Sequence, residues 1–509
     1  MKIKSLSFLA LILSGIACVA QSAETNVYFK IHVVDTQTGR GVPLVDLETT
    51  AHQHFYTDSA GVVAFNEPGL MNHEVWFGVH SDGYEYPKDG FGNAGVRLKT
   101  KTGGSAEIQL KRVNIAERLY RITGEGIYRD TVLLGEKAPI TEPVLNGDVV
   151  GQDSSVPAVY HGQIHWFWGD TSRPEYPLGH FHTAGAVSDL PGHGGLPPSV
   201  GINLHYFTDK DGFSRGMAPL DAPGPVWIEQ PIVLTNAGSE VMLTHYARMK
   251  HLGTMVEQGY MVYDDAQDKF VKLRELDLQE HWRFPSGHPF RWREAGTDYF
   301  VFARPFANVR VKADWQSVTN PAAYEAFTCL AANSTTEHPV VMRDAAGKVI
   351  WQWRADANPI SQKQERDLIK RGLLKPDEAR YQLTDADSGK PVEMHHASIH
   401  WNEFLKRWIM IGVQTGGRSF LGEVWFASAD GPFGPWRQAK RIVTHEKYSF
   451  YNPGQLPFFD EDGGRYVYFE GTYSSTFSGN DYPTPLYDYN QMLYRLDLTD
   501  PRLKFGAEK

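Results

Sequence analysis

The side chains in this sequence whose types and spacing suit chemistry are carboxylates and imidazoles placed at the ends of apolar runs. Asp153, in Gly151-Gln152-Asp153-Ser154, opens one run, and Asp170, in Trp168-Gly169-Asp170-Thr171, closes the next. Glu423 opens Val424-Trp425-Phe426, and Glu257 and Glu240 stand near another pair of runs. Two such carboxyls brought together can act as a protonated acid and a charged base. His288 follows Ser286-Gly287, with Arg291 three positions on, and His395-His396 leads into a further run. Adjacent strand residues face opposite ways, so one of His395 and His396 at most can enter a central site. Tyr451 and Asn452, with Trp168, offer ring faces and an amide of the kind a sugar subsite uses; Tyr487-Asp488-Tyr489-Asn490 offers more. His180 and His182 have H-x-H spacing and His193 is nearby, a set compatible with zinc or with ordinary loop histidines. Metalloprotease, serine-hydrolase, phosphate-loop and C-x-x-C motifs are all missing from the sequence.

These residues need strands to hold them. From about Asn26 to Arg112 the pattern is a small β-domain: Phe29, Ile31 and Val33 alternate with Lys30 and His32, and Asp35-Thr36-Gln37-Thr38-Gly39 is a turn. Further strands are expected at Leu44–Thr49, Gly61–Phe65, Glu74–His80 and Ala106–Leu110. Asn114–Arg121 reads as a bridging segment with a short helix. Beyond Gly126 five strand pairs follow: 155–160 with 163–168, 241–246 with 259–263, 288–292 with 299–302, 397–401 with 408–411, and 455–459 with 466–469. That is roughly 75 residues per unit, as in propeller blades with loop insertions. A charged helix over Gln362–Arg380, capped by Ser361, interrupts the series.

Two resemblances sharpen this. Thr38-Gly39-Arg40-Gly41-Val42-Pro43 and Thr57-Asp58-Ser59-Ala60-Gly61 resemble the turns of carboxypeptidase-regulatory-like β-sandwiches, which implies an accessory module over residues 24–112. Asp153 before its strand, and Ala427-Ser428-Ala429 leading to Gly431-Pro432-Phe433-Gly434-Pro435-Trp436, resemble the five-bladed propeller glycosidases, glycoside hydrolase family 43 and its relatives. That resemblance implies an all-β chain with a β-sandwich, a linker at 113–125 and a five-bladed β-propeller over 126–509. It places the general base at Asp153. For the acid the residues themselves offer Glu423 first, then Glu257 and Glu240, with Asp170 a further catalytic candidate. Inverting glycosidases hold the two carboxyls roughly 6.5–9.5 Å apart to admit water. The family's acid and its second aspartate find no clean match in the later blades.

Residues 1–23 have the order of a secretory signal: two lysines, an apolar run from Leu6 to Val19, then Ala20-Gln21-Ser22-Ala23. The expected location is periplasmic or extracellular, with lipid anchoring through Cys18 as the alternative. No later run approaches the length of a transmembrane helix. Cys329, in an apolar stretch, reads as a buried thiol. The net charge of −10 argues against nucleic acid, and 13% aromatic residues fit a carbohydrate partner. A structural calcium ion is the one cofactor considered. Three functions are carried forward: a secreted glycoside hydrolase, a polysaccharide lyase using His288, Tyr246, Arg291 and His396, and a non-catalytic glycan-binding protein.

Overall fold

A computed structural model describes residues 27–505 except 252, 333, 336, 447, 476, 477 and 479–488. The expected signal, and Tyr487 and Asp488 of the 487–490 segment, lie outside the described residues. Strand dominates throughout, and no described helix is long and apolar enough to cross a membrane.

The first body is two four-stranded sheets. Phe29–Asp35 lies at the middle of one, antiparallel to Val62–Phe65 and parallel to Ser105–Arg112. Asp46–Thr49 and Glu74–His80 form the middle of the other. The alternation of Phe29, Ile31 and Val33 does what the pattern requires, since these side chains join Leu47, Phe65, Phe77 and Ile108 in one core between the sheets. The two turn motifs meet there. A Cβ on Gly41 would stand 1.9 Å from the Ala60 carbonyl oxygen, so the T-G-x-G turn passes the T-D-x-x-G turn only because glycine is present.

After residue 150, five sheets of four to six strands follow in chain order, with a small three-stranded sheet beside the first of them. Their innermost strands are Ala158–Tyr160, Ile232–Asn236, His288–Glu294, Met394–Asn402 and Ser449–Gln455. Each sheet shares a core with the next. Phe167 packs with Met242 and Met261, Leu243 with Phe300, Phe290 with Trp408, and Ile411 with Phe450. The fifth sheet then returns to the first, Tyr468 and Leu493 packing with Ile164 and Trp166. A ring closed this way is the arrangement of a β-propeller.

Two expectations change. The 114–121 segment holds no helix: Glu117–Arg121 is a strand that pairs with Asn490–Asp497 and completes the fifth sheet. All five of its residues are buried, and a strand edge some 370 residues later supplies their hydrogen bonds. In the second sheet the expected pair 241–246 with 259–263 forms, and a strand the sequence reading did not single out, Ile232–Asn236, lies inside it. In the fifth, Pro457–Phe459 is a 3-10 turn and the innermost strand is Ser449–Gln455. The expected helix runs Gln362–Lys370, with Ser361 and Gln364 forming a reciprocal cap, and Gly372 (φ +69°) follows its end.

Candidate active site

The starts of the innermost strands converge at one end of the ring, and most of the proposed chemistry gathers there. Asp153 precedes the first innermost strand. Gly169 and Asp170 both stand opposite it: Asp153 N–H donates to the Asp170 carbonyl (2.9 Å) and Gly169 N–H donates to the Asp153 carbonyl (2.8 Å). The ladder keeps one register on either side, Gln152 opposite Thr171 and Ser155 opposite Trp168. It brings two aspartates from one hairpin together.

The fifth sheet reaches across to them. Tyr451 Oη donates to Asp153 Oδ1 at 2.6 Å, and Ser154 Oγ donates to the same oxygen at 2.7 Å. Asn452 Nδ2 donates to Ser154 Oγ at 2.7 Å. Ser154 (φ +26°) and Asn452 (φ +52°) both have left-handed backbone, so this contact joins two strained positions 298 residues apart. Burial raises the Asp153 carboxyl above its usual range, against the hydrogen bonds from Tyr451 and Ser154. Asp170 is 8% exposed and accepts from Trp227 Nε1 at 2.9 Å. Burial pushes it up to about 6, opposed by the Trp227 bond and assisted by the nearby Asp153 charge. Two carboxyls set apart in environment is how acid and base roles are divided.

The second, third and fourth sheets supply the rest. His288 Nδ1 is 2.7 Å from Gln230 Oε1, and its ring meets the His396 ring at 4.9 Å between centroids. Burial takes His288 down to about 4 and His396 well below its usual value, so both imidazoles are neutral at pH 7. His396 faces inward and His395 is exposed, as strand alternation requires of one of the pair. Glu229 and Arg304 were not singled out in the sequence. Glu229 Oε2 accepts from Gly287 N–H at 2.9 Å, and Arg304 Nη1 stands 4.0 Å from Glu229 Oε1. The signal for Glu229 was its place just before an innermost strand, hidden because that strand was not recognised.

Other candidates lie elsewhere. Glu423 precedes Val424–Ala429, the third strand of the fourth sheet, about 10 Å out from the innermost at usual strand spacing. Its Oε1 accepts from Thr444 Oγ1 at 2.7 Å, and its Oε2 stands 3.1 Å from Arg441 Nη1. Arg291 points outward, donating to the Val233 carbonyl and lying over the Phe300 ring at 4.6 Å. Trp168 is 1% exposed and packed among Trp166 and Tyr206, so its faces are core surface and not a sugar platform. Glu257 is held by Lys272, Tyr246 and Arg248, which outweigh burial and bring it down to about 2. Tyr246, its donor, is committed to that cluster. Glu240 sits at the far end of the second sheet, at the turn after Ile232–Asn236.

His180 turns one nitrogen to the Ser214 carbonyl and the other to the His182 N–H, and His193 lies in a separate exposed turn. Among the described residues no group of three or more histidine, cysteine or acidic side chains is placed to hold a metal. Cys329 is fully buried, and burial pushes its thiol up to about 12. Two large grooves, of about 670 Å3 beside outer strands of the fourth sheet and about 770 Å3 beside the Gln362–Lys370 helix, contain none of the groups at the mouth.

No protein-family model and no curated protein sequence matches the chain. Among solved structures it is similar to an exo-β-1,3-galactanase from Phanerochaete chrysosporium determined with β-1,3-galactotriose, at 10% identity over 75% of this chain and 65% of that one, with a TM-score of 0.34. It is similar to the GH43_1 enzyme from Xanthomonas citri complexed with xylotriose, at 12% identity over 68% and 86%, with a TM-score of 0.32. A third is an exo-1,5-α-L-arabinanase from a bovine ruminal metagenomic library, at 10% identity over 69% and 94%, with a TM-score of 0.32. Scores this low transfer neither a site nor a reaction to this chain.

Proposed function

We propose that the chain is an exported glycoside hydrolase, a β-sandwich followed by a five-bladed β-propeller, acting on an oligosaccharide or polysaccharide at the mouth of the ring. Residues 1–23 direct export. The observation that carries the reading is the pair Asp153 and Asp170. They stand opposite each other in one hairpin, joined by the Asp153 N–H to Asp170 carbonyl bond and in distinct side-chain hydrogen-bond settings, where a remote innermost strand reaches them. Asp170, raised to about 6, keeps its proton to a higher pH than an ordinary aspartate and, below about pH 6, gives it to the leaving oxygen. Asp153, aimed by Tyr451 and Ser154, is the base or nucleophile on the other face of the sugar. Neutral His288 and His396 and the Glu229–Arg304 pair surround the pit as hydrogen-bonding groups for sugar hydroxyls.

Release of reducing ends from a panel of plant, algal and bacterial polysaccharides tests this. Asp153→Asn and Asp170→Asn are each expected to lower kcat by roughly 100- to 10,000-fold, the usual worth of a positioned acid or base. Full activity in Asp153→Asn ends the proposal. Products that absorb in the ultraviolet as unsaturated uronates would identify a lyase instead. The outward-turned Arg291 and the committed Tyr246 leave that chemistry with fewer groups at the mouth.

A further inference from the structure

A cleft of about 460 Å3 opens where the first body meets the fourth and fifth sheets. One wall is Tyr56, His80, Asp82 and Tyr86 of the N-terminal sheets, and the other is Glu446 and Tyr448. The two walls are bonded to each other: Glu446 N–H donates to Asp82 Oδ1 at 3.1 Å, and below them Arg118 donates to Ser81 Oγ. The cleft is therefore a fixed feature of the joined bodies.

We propose that this cleft is a second carbohydrate subsite, which holds an uncharged stretch of glycan whose end lies in the mouth of the ring. Its volume is within the range of small-molecule sites, about 300–1,000 Å3. Half-buried Tyr56, Tyr86 and Tyr448 line it, each also packed against a neighbouring core, and aromatic side chains held in this way suit contact with the apolar face of a sugar ring. Carboxylates along the walls accept from hydroxyl groups. Acidic residues outnumber the one lining lysine, Lys88, so an anionic chain would be repelled. The cleft is also near the site. Tyr448 precedes by three residues the Tyr451 that binds Asp153, roughly 10 Å along an extended strand. Both lie at the starting end of the same innermost strand, so one glycan can span them. This inference rests on the glycan reading of the mouth.

The test is affinity electrophoresis of the full chain carrying Asp153→Asn, so that the probe is not consumed. Xylan, arabinogalactan and laminarin are the neutral probes, and polygalacturonate is the anionic one. At least one neutral probe is expected to retard the protein. Adding Tyr86→Ala should weaken retardation roughly tenfold, the loss typical of a central aromatic contact, and Tyr86→Phe should preserve it. Glu85→Ala, on the exposed rim, gives a smaller loss and serves if Tyr86→Ala does not fold. Unchanged retardation in both Tyr86→Ala and Glu85→Ala, retardation by polygalacturonate alone, or none by any probe overturns the subsite. Reducing-end release by the unaltered protein separates the two readings. Turnover with Tyr86-independent binding removes the cleft alone, and Tyr86-dependent binding without turnover removes the hydrolytic mouth alone.

Discussion

Asp170 shows how one hydrogen bond sets the working range of the proposed acid. Burial raises its carboxyl to about 6, and the Trp227 N–H, 2.9 Å away, works against that rise by favouring the carboxylate. A general acid must carry its proton, so kcat should fall as pH rises through about 6. Asp153 must be ionised, and burial raises its carboxyl, so the opposite limb lies above that of an ordinary aspartate. The profile is then a bell. Trp227→Phe removes the N–H and keeps most of the ring. The carboxylate loses its donor, Asp170 rises further, and the alkaline limb should move to higher pH with little change in the acid limb. A kcat–pH profile of both proteins reads this directly. A limb that stays in place, or moves down, would mean that another group titrates there.

At the scale of elements, the innermost strands are useful because they approach one another closely, and Gly454 marks how closely. It lies on Ser449–Gln455, and a Cβ there would stand 2.7 Å from His288 Cε1. Gly454→Ala should push the imidazole off Gln230 and His396, costing about 1–3 kcal/mol of stability, as overpacking does. Thermal unfolding and kcat should fall together; an alanine variant with wild-type values would show that the strands have slack. The same closeness decides what the sequence made legible. Strands with local alternation, such as Phe29–Asp35, were readable, as was the helix behind Ser361 with its reciprocal cap. Asp153 was readable because it stands just before a strand that forms a hairpin with its neighbour. Ile232–Asn236 was not, since the longer strands Ser239–His251 and Thr254–Asp264 carry a stronger pattern beside it. Missing that strand hid Glu229. Glu423 drew notice as a carboxylate opening an apolar run, but position along the chain cannot tell a third strand from an innermost one. Glu117–Arg121 read as a helix because its partner strand is about 370 residues away.

For the molecule as a whole, that last strand is where the ring closes, and it arrives from the N-terminal side of the ring's own chain. Arg121 is buried, with Nε and Nη2 both on Asn490 Oδ1, and Leu119 and Tyr120 enter the core shared by the first and fifth sheets. Without them Asn490–Asp497 becomes an open edge, and each large apolar side chain lost removes about 1.5–3 kcal/mol of burial. The first body adds contacts of its own. Leu44 is fully buried within the core of the fourth and fifth sheets, and Asp58 Oδ2 accepts from both the N–H and the hydroxyl of Thr131 at 2.7 Å. These two layers of support predict different outcomes for two shortened chains. A chain beginning at residue 113 keeps the closing strand and should fold, with a lower midpoint because the Leu44 and Asp58 contacts are gone. A chain beginning at residue 123 loses the strand as well and should show no cooperative thermal transition, or precipitate. Scanning calorimetry of the two, beside the full chain, distinguishes them. If the 123 chain unfolds cooperatively at the same midpoint as the 113 chain, the closing strand is a passenger. The ring would then be held by the five cores alone.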